Sequence, residues 1–85
     1  MSPNSIIIVE KKFKLGIHIG SEYQHYKGGR YKVIGIGNHS ESMDELVIYQ
    51  ALYDDNRIWA RPLEMFKEEV EYEGKIVPRF LYLGN

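Results

Sequence analysis

The chain contains no cysteine. Disulfides and thiolate metal sites are therefore excluded, and a reducing, cytoplasmic setting is expected. Long hydrophobic runs are missing as well. The longest, Ile6-Ile7-Ile8-Val9, falls far short of the ~18–20 residues that cross a bilayer, so no membrane association is expected. No basic segment leads into a longer apolar stretch near the N-terminus, and no secretory signal is expected. An excess of one charge is also lacking. Eleven Lys and Arg stand against 12 Asp and Glu, which removes the whole-molecule basic footprint of a nucleic-acid-binding protein. Proline is scarce, and no repeat, low-complexity tract or linker divides the chain.

What remains is 85 residues, 44 % apolar and 27 % charged, the make-up of one globular unit with one core. The near-neutral total hides an asymmetry. Residues 1–40 carry six basic and two acidic side chains, and residues 41–85 carry five basic and ten acidic ones. Residues 1–15 read as an N-terminal arm in which β-branched Ile6–Val9 favours a strand, a short helix being the alternative, and residues 16–85 as a single small β-rich domain.

Within that domain, Gly16 to Gly20 is extended. Glu22–Tyr26 and Tyr31–Ile36 form strands joined by the turn Lys27-Gly28-Gly29-Arg30, since paired glycines between extended runs signal a hairpin. Gly37–Asp44 is a polar loop. Leu46–Tyr53 and Arg57–Arg61 form a second hairpin about Asp54-Asp55-Asn56. Pro62, which cannot donate a backbone hydrogen bond, stops that ladder and opens a helical or 3₁₀ turn over Leu63–Phe66. Lys67–Tyr72 could extend that helix, but Val70 and Tyr72 alternate with Glu69 and Glu71 and favour a strand; Glu73-Gly74-Lys75 is a turn, and Val77–Leu83 a closing edge strand with Pro78. Short strands about ten residues apart predict an all-β or mainly β fold, either a small SH3-like barrel or a rolled antiparallel sheet with one short helical turn.

The second hairpin suggests a functional face. A three-residue loop would pair Tyr53 with Arg57, Ala51 with Trp59 and Tyr49 with Arg61, and directly paired residues share a face. Tyr49, Tyr53, Arg57, Trp59 and Arg61 would line one side. Leu46, Ile48, Leu52, Ile58 and Ala60 would line the other as the aliphatic core face. Aromatic rings interleaved with guanidinium groups suit stacking on a base, gripping a peptide or holding an anion. The competing reading is that Trp59 and the tyrosines are ordinary core or rim residues.

His18, His25 and His39 lack the compact spacing of metal ligands, so no metal or other cofactor is expected. His25 and His39 could act as an acid/base pair if the fold joined them. Otherwise Ser40 and Glu41 simply order their loop by bonding backbone amides. Lys27 to Lys32 places three cations around a glycine turn, without the spacing of a phosphate-binding loop.

Gly20-Ser-Glu-Tyr-Gln-His-Tyr-Lys-Gly28, Tyr31, His39-Ser-Glu41, Val47-Ile-Tyr-Gln50, Tyr53, Trp59-Ala-Arg-Pro62, Met65-Phe66 and Pro78-Arg-Phe80, in that order, resemble the bacterial domain of unknown function 1653 family over residues 20–80. Departures are mild: Gln24 stands where the family is commonly basic, Ser42 where it has threonine and Ala60 where it has valine. The resemblance implies a small β-rich fold and no established activity. The aromatic and guanidinium face of the second hairpin, rather than the resemblance, leads to the expectation of a non-catalytic binding module for a peptide or nucleotide-like anion, monomeric or homodimeric. Its surface would comprise His25, Tyr26, Lys27, His39, Ser40, Glu41, Tyr49, Trp59 and Arg61. The alternatives are a small hydrolase or phosphoryl-transfer enzyme using His25 and His39, and an assembly subunit pairing through an edge strand such as Ile6–Val9.

Overall fold

Alternating apolar residues and glycine-rich turns give nine strands and one helical turn in a computed structural model that describes residues 12–84. The strand expected at Ile6–Val9, and the edge pairing built on it, lie outside those residues. Strands β1 (Lys12–Lys14) and β2 (Ile17–Ile19) form a hairpin about Leu15 and Gly16. The main sheet contains β3 (Glu22–His25), β4 (Arg30–Asn38), β5 (Glu45–Ala51), β6 (Ile58–Pro62) and β9 (Phe80–Gly84). Its order is β6-β5-β4-β3-β9, antiparallel throughout. Helix α1 (Leu63–Phe66) follows β6, and β7 (Glu69–Tyr72) pairs with β8 (Lys75–Pro78) as a separate hairpin.

The helical turn begins after Pro62, which has extended geometry (φ −53°, ψ 139°) and caps α1 while still pairing with Leu46. Proline lacks only an amide that the first helical turn leaves unpaired anyway. Leu63 and Phe66 point from α1 into the hollow of the curled sheet, where Phe66 stacks on Phe80 at 4.1 Å. Ile17, Tyr23, Val33, Val47 and Tyr49 complete the core. β6 and β9 are not hydrogen-bonded to each other, so the sheet is rolled and open rather than a closed barrel. Side chains span the gap: the Arg61 guanidinium on β6 lies 5.7 Å from the Phe80 ring on β9.

Three expectations are corrected. First, Val77–Leu83 is not one strand. Residues 75–78 fold back on β7 and residues 80–84 pair with β3. At the break, the Arg79 N–H donates to the Glu68 carbonyl and the Arg79 carbonyl accepts from the Tyr26 N–H. Second, the β5–β6 register is Tyr49 with Trp59 and Val47 with Arg61. Asp54 and Asn56 both take left-handed φ, and the Asn56 amide donates to the Ala51 carbonyl, which holds a longer loop. This slip of two residues preserves the partition into faces, whereas a slip of one would invert it.

Third, the core face is the opposite of the one expected. Tyr49, Val47 and Ala51 are buried, whereas Ile58 is 57 % exposed. The sheet curls toward α1, so the aromatic side is concave and takes up Phe66, leaving the aliphatic side convex.

Candidate functional site

One end of the main sheet gathers the β3–β4 turn, the β5–β6 loop and the start of β9. His25 pairs with Phe80, Tyr31 with Ala51, and the Leu52 N–H donates to the Arg30 carbonyl. This end brings His25, Tyr31, Tyr49, Trp59, Arg61 and Phe80 around one cleft of about 170 Å³. Four of these, His25, Tyr49, Trp59 and Arg61, were expected from sequence. Tyr31 and Phe80 were not: Phe80 arrives through pairing with a strand more than fifty residues earlier, for which the local pattern holds no signal.

Tyr49 is nearly sealed, but its hydroxyl accepts a 3.1 Å bond from Arg61 Nε, so its ring is core and its polar tip positions the guanidinium. Trp59 is 46 % exposed because β6 is an outer strand of the sheet. Arg57 lies 5.7 Å over the indole. Beyond the indole is a second hollow of about 400 Å³, lined by Ala51, Tyr53, Asp54, Asp55, Arg57 and Trp59. The Tyr31 and Tyr53 hydroxyls meet at 2.5 Å and tie the β5–β6 loop to β4. Burial, and then the bond to Tyr53, push the Tyr31 hydroxyl up to about 12.

Three of the four arginines near the cleft are held by carboxylates. Arg30 pairs with Glu22, Arg57 with Asp55 and Arg79 with Glu68. Among the described residues Arg61 has no carboxylate partner. Burial lowers the His25 pKa, and Arg61, Arg79 and Lys27 lower it further, so its imidazole is neutral at pH 7. His25 Nδ1 accepts from the Lys27 N–H at 3.1 Å, which places the proton of the neutral ring on Nε2. The cleft thus offers one uncompensated guanidinium, a neutral imidazole donor, two phenols and an open indole.

Other expected residues fall elsewhere. Tyr26 stacks on His25 at 4.5 Å but lines a different hollow with Tyr72, Val77, Pro78 and Leu81. Lys27 lies 5.8 Å from the Tyr26 ring. His39, Ser40 and Glu41 sit past the opposite end of β4. His25 lies opposite Gly29, so the nine residues of that strand leave roughly 33 Å of extended chain between it and His39. His39 Nδ1 accepts from the Glu41 and Ser42 N–H groups at 3.1 and 3.3 Å, so this histidine orders its own loop. No group of three metal-ligating side chains converges among the described residues, and no helix among them is long and apolar enough to cross a membrane.

Comparison with known proteins bears on this geometry. The family model described as protein of unknown function (DUF1653) matches residues 21–82. A crystal structure of a protein belonging to DUF1653 from Bordetella bronchiseptica is similar at 31 % identity and a TM-score of 0.71. The similarity covers 76 % of this chain and 86 % of that one. No curated protein matches the chain.

Proposed function

The chain belongs to the DUF1653 family, and from the geometry of its concave face we propose that it is a non-catalytic module that binds a small anionic ligand with a planar or apolar portion. Arg61 contacts the anion, Trp59 provides the stacking surface, and the His25 Nε2–H and Tyr49 hydroxyl orient the guanidinium and the ligand. The supporting observation is Arg61 itself: a guanidinium without a carboxylate among the described residues, beside a half-exposed indole. A charge of this kind, partly removed from water, gains most from a bidentate acceptor. A phosphate ester and a peptide carboxylate both qualify. A cytoplasmic setting and an SH3-like outline belong to the same proposal.

An enzyme built on His25 and His39 would need both imidazoles within reach of one bond, and β4 stands between them. That reading therefore has less support than binding.

The chain contains a single tryptophan, so its fluorescence reports on Trp59 alone. Phenyl phosphate should quench it saturably, and Arg61→Gln should weaken binding by roughly tenfold or more, the loss of a charged hydrogen bond. Arg61→Lys should recover part of that loss. Equal affinity for wild type and Arg61→Gln, with both folded, would count against the proposal.

A further inference from the structure

We propose that the hollow between Trp59 and the β5–β6 loop is a base subsite, and that the ligand is a nucleotide whose base presents adjacent N–H donors, guanine being the type case. This rests on the reading of Arg61 as the anion contact and adds the other half of the ligand. The hollow of about 400 Å³ and the cleft of about 170 Å³ share one wall, the Trp59 indole. Both open on the concave face, since Ala51, Arg57, Trp59 and Arg61 share one side of the sheet. The hollow by itself falls within the roughly 300–1,000 Å³ range of small-molecule sites, which the cleft does not. Arg57 and Arg61 are four residues apart, ~13 Å along the strand. That span suits a ring at one end and a phosphate at the other.

The chemistry of the two ends differs. At the Arg61 end the protein offers donors. At the loop end it offers acceptors: Asp54 lines the hollow and makes no ion pair or side-chain hydrogen bond among the described residues. Asp55 is held by Arg57 at 3.3 Å, with both side chains more than 60 % exposed, and such a pair yields readily. A carboxylate only accepts hydrogen bonds. It matches the adjacent N1–H and N2–H of guanine, matches the single amino group of cytosine or adenine less well, and faces two carbonyls on either side of the one N–H of uracil. The Arg57 guanidinium, which itself lies over the indole, offers a stacking surface, and the indole offers another where Arg57 swings aside; any base can use either. An acidic or C-terminal peptide would satisfy Arg61 but would bring no donor array to Asp54. The near-neutral chain also points to a mononucleotide rather than a polymer.

The test is a set of Trp59 fluorescence titrations with guanosine, cytidine and uridine monophosphates, inorganic phosphate and an acetylated acidic dipeptide. Guanosine monophosphate should bind best, about tenfold or more above uridine monophosphate. Asp54→Asn preserves shape and tolerates the left-handed backbone at this position (φ 53°). It should collapse that preference without changing the dependence on Arg61. Equal binding of all nucleotides with Arg61 still required would overturn the base subsite and leave the anion site standing. Binding of the dipeptide alone would overturn it in favour of a peptide. Absence of binding by every probe would remove the anion site as well.

Discussion

Gly29→Ala tests the clasp that shapes the site. Gly29 lies outside the left-handed region, so its backbone accepts alanine without strain, and the substitution by itself should stabilise the fold by about 0.4–1 kcal/mol through the unfolded chain. The new methyl, however, would sit 3.0 Å from Tyr53 Cε1, 3.2 Å from the Tyr53 hydroxyl and 3.3 Å from Tyr31 Cε1. Tyr53 is exposed and can swing outward, but only by breaking its 2.5 Å bond to Tyr31. That bond contributes about 0.5–1.5 kcal/mol, and a residual squeeze against Tyr31 adds toward the low end of the 1–3 kcal/mol of overpacking. The net expectation is a loss of roughly 0.5–2 kcal/mol, read as a lower urea midpoint at unchanged slope. In a Tyr53→Ala background the obstruction is largely gone, and the same substitution should become neutral or stabilising. A Gly29→Ala protein that gains stability in the wild-type background, or loses the same amount in both, would refute the reasoning.

Three further outcomes follow from polar groups of the cleft and the core. The Tyr31 hydroxyl is held at about 12, above its ordinary 10.0, so the stability it contributes is complete below pH 10.0 and is lost as pH rises toward 12. Burial also raises the Tyr23 pKa, so a phenolate absorbance titration should show late-titrating tyrosine, of which one step is lost in Tyr31→Phe. His25 has the opposite sign. Its folded pKa lies below 6.5, so the unfolded chain takes up a proton first and stability falls as pH drops below 6.5. Unfolding curves of His25→Gln should fall less over that acid range than those of wild type. Finally, the Ser21 hydroxyl is fully buried and has no hydrogen-bond partner among the described residues. Ser21→Ala should be neutral or stabilising by up to about 1 kcal/mol by calorimetry, because an unsatisfied polar group leaves the core; a loss above that size would show that the hydroxyl has a partner in solution.

Much of the fold was legible because its turns are local. Gly28 and Gly29, Asp54 to Asn56, Pro62 and Gly74 mark reversals that each depend on a few neighbouring residues, and all lie where the structure turns. The partition of the Leu46–Arg61 hairpin into faces was legible for a related reason: alternation survives a two-residue slip. Which face is inside was not. Ile48 and Ile58 look more like core than Tyr49 does, and only the curl of the sheet around Phe66 reverses the choice. Arg79 also hid a boundary, since the residues around it suit an unbroken strand and only the demands of two separate partners, β7 and β3, divide it. The site followed the same rule. Trp59, Arg61 and Tyr49 come from one hairpin, so their grouping was legible. His25 joins them through pairing between β3 and β9, which brings Phe80 with it, and His39 is carried away by the length of β4.

Heteronuclear NMR shift mapping with guanosine monophosphate tests most directly whether the Trp59–Arg61 face is where this protein binds. Saturable shifts are predicted at the Trp59 indole N–H, the Arg61 Nε–H, His25 and the Asp54–Arg57 loop, with the His39 loop unmoved. Shifts centred instead on Tyr26, Tyr72 and Pro78, or none at millimolar ligand, would contradict the account.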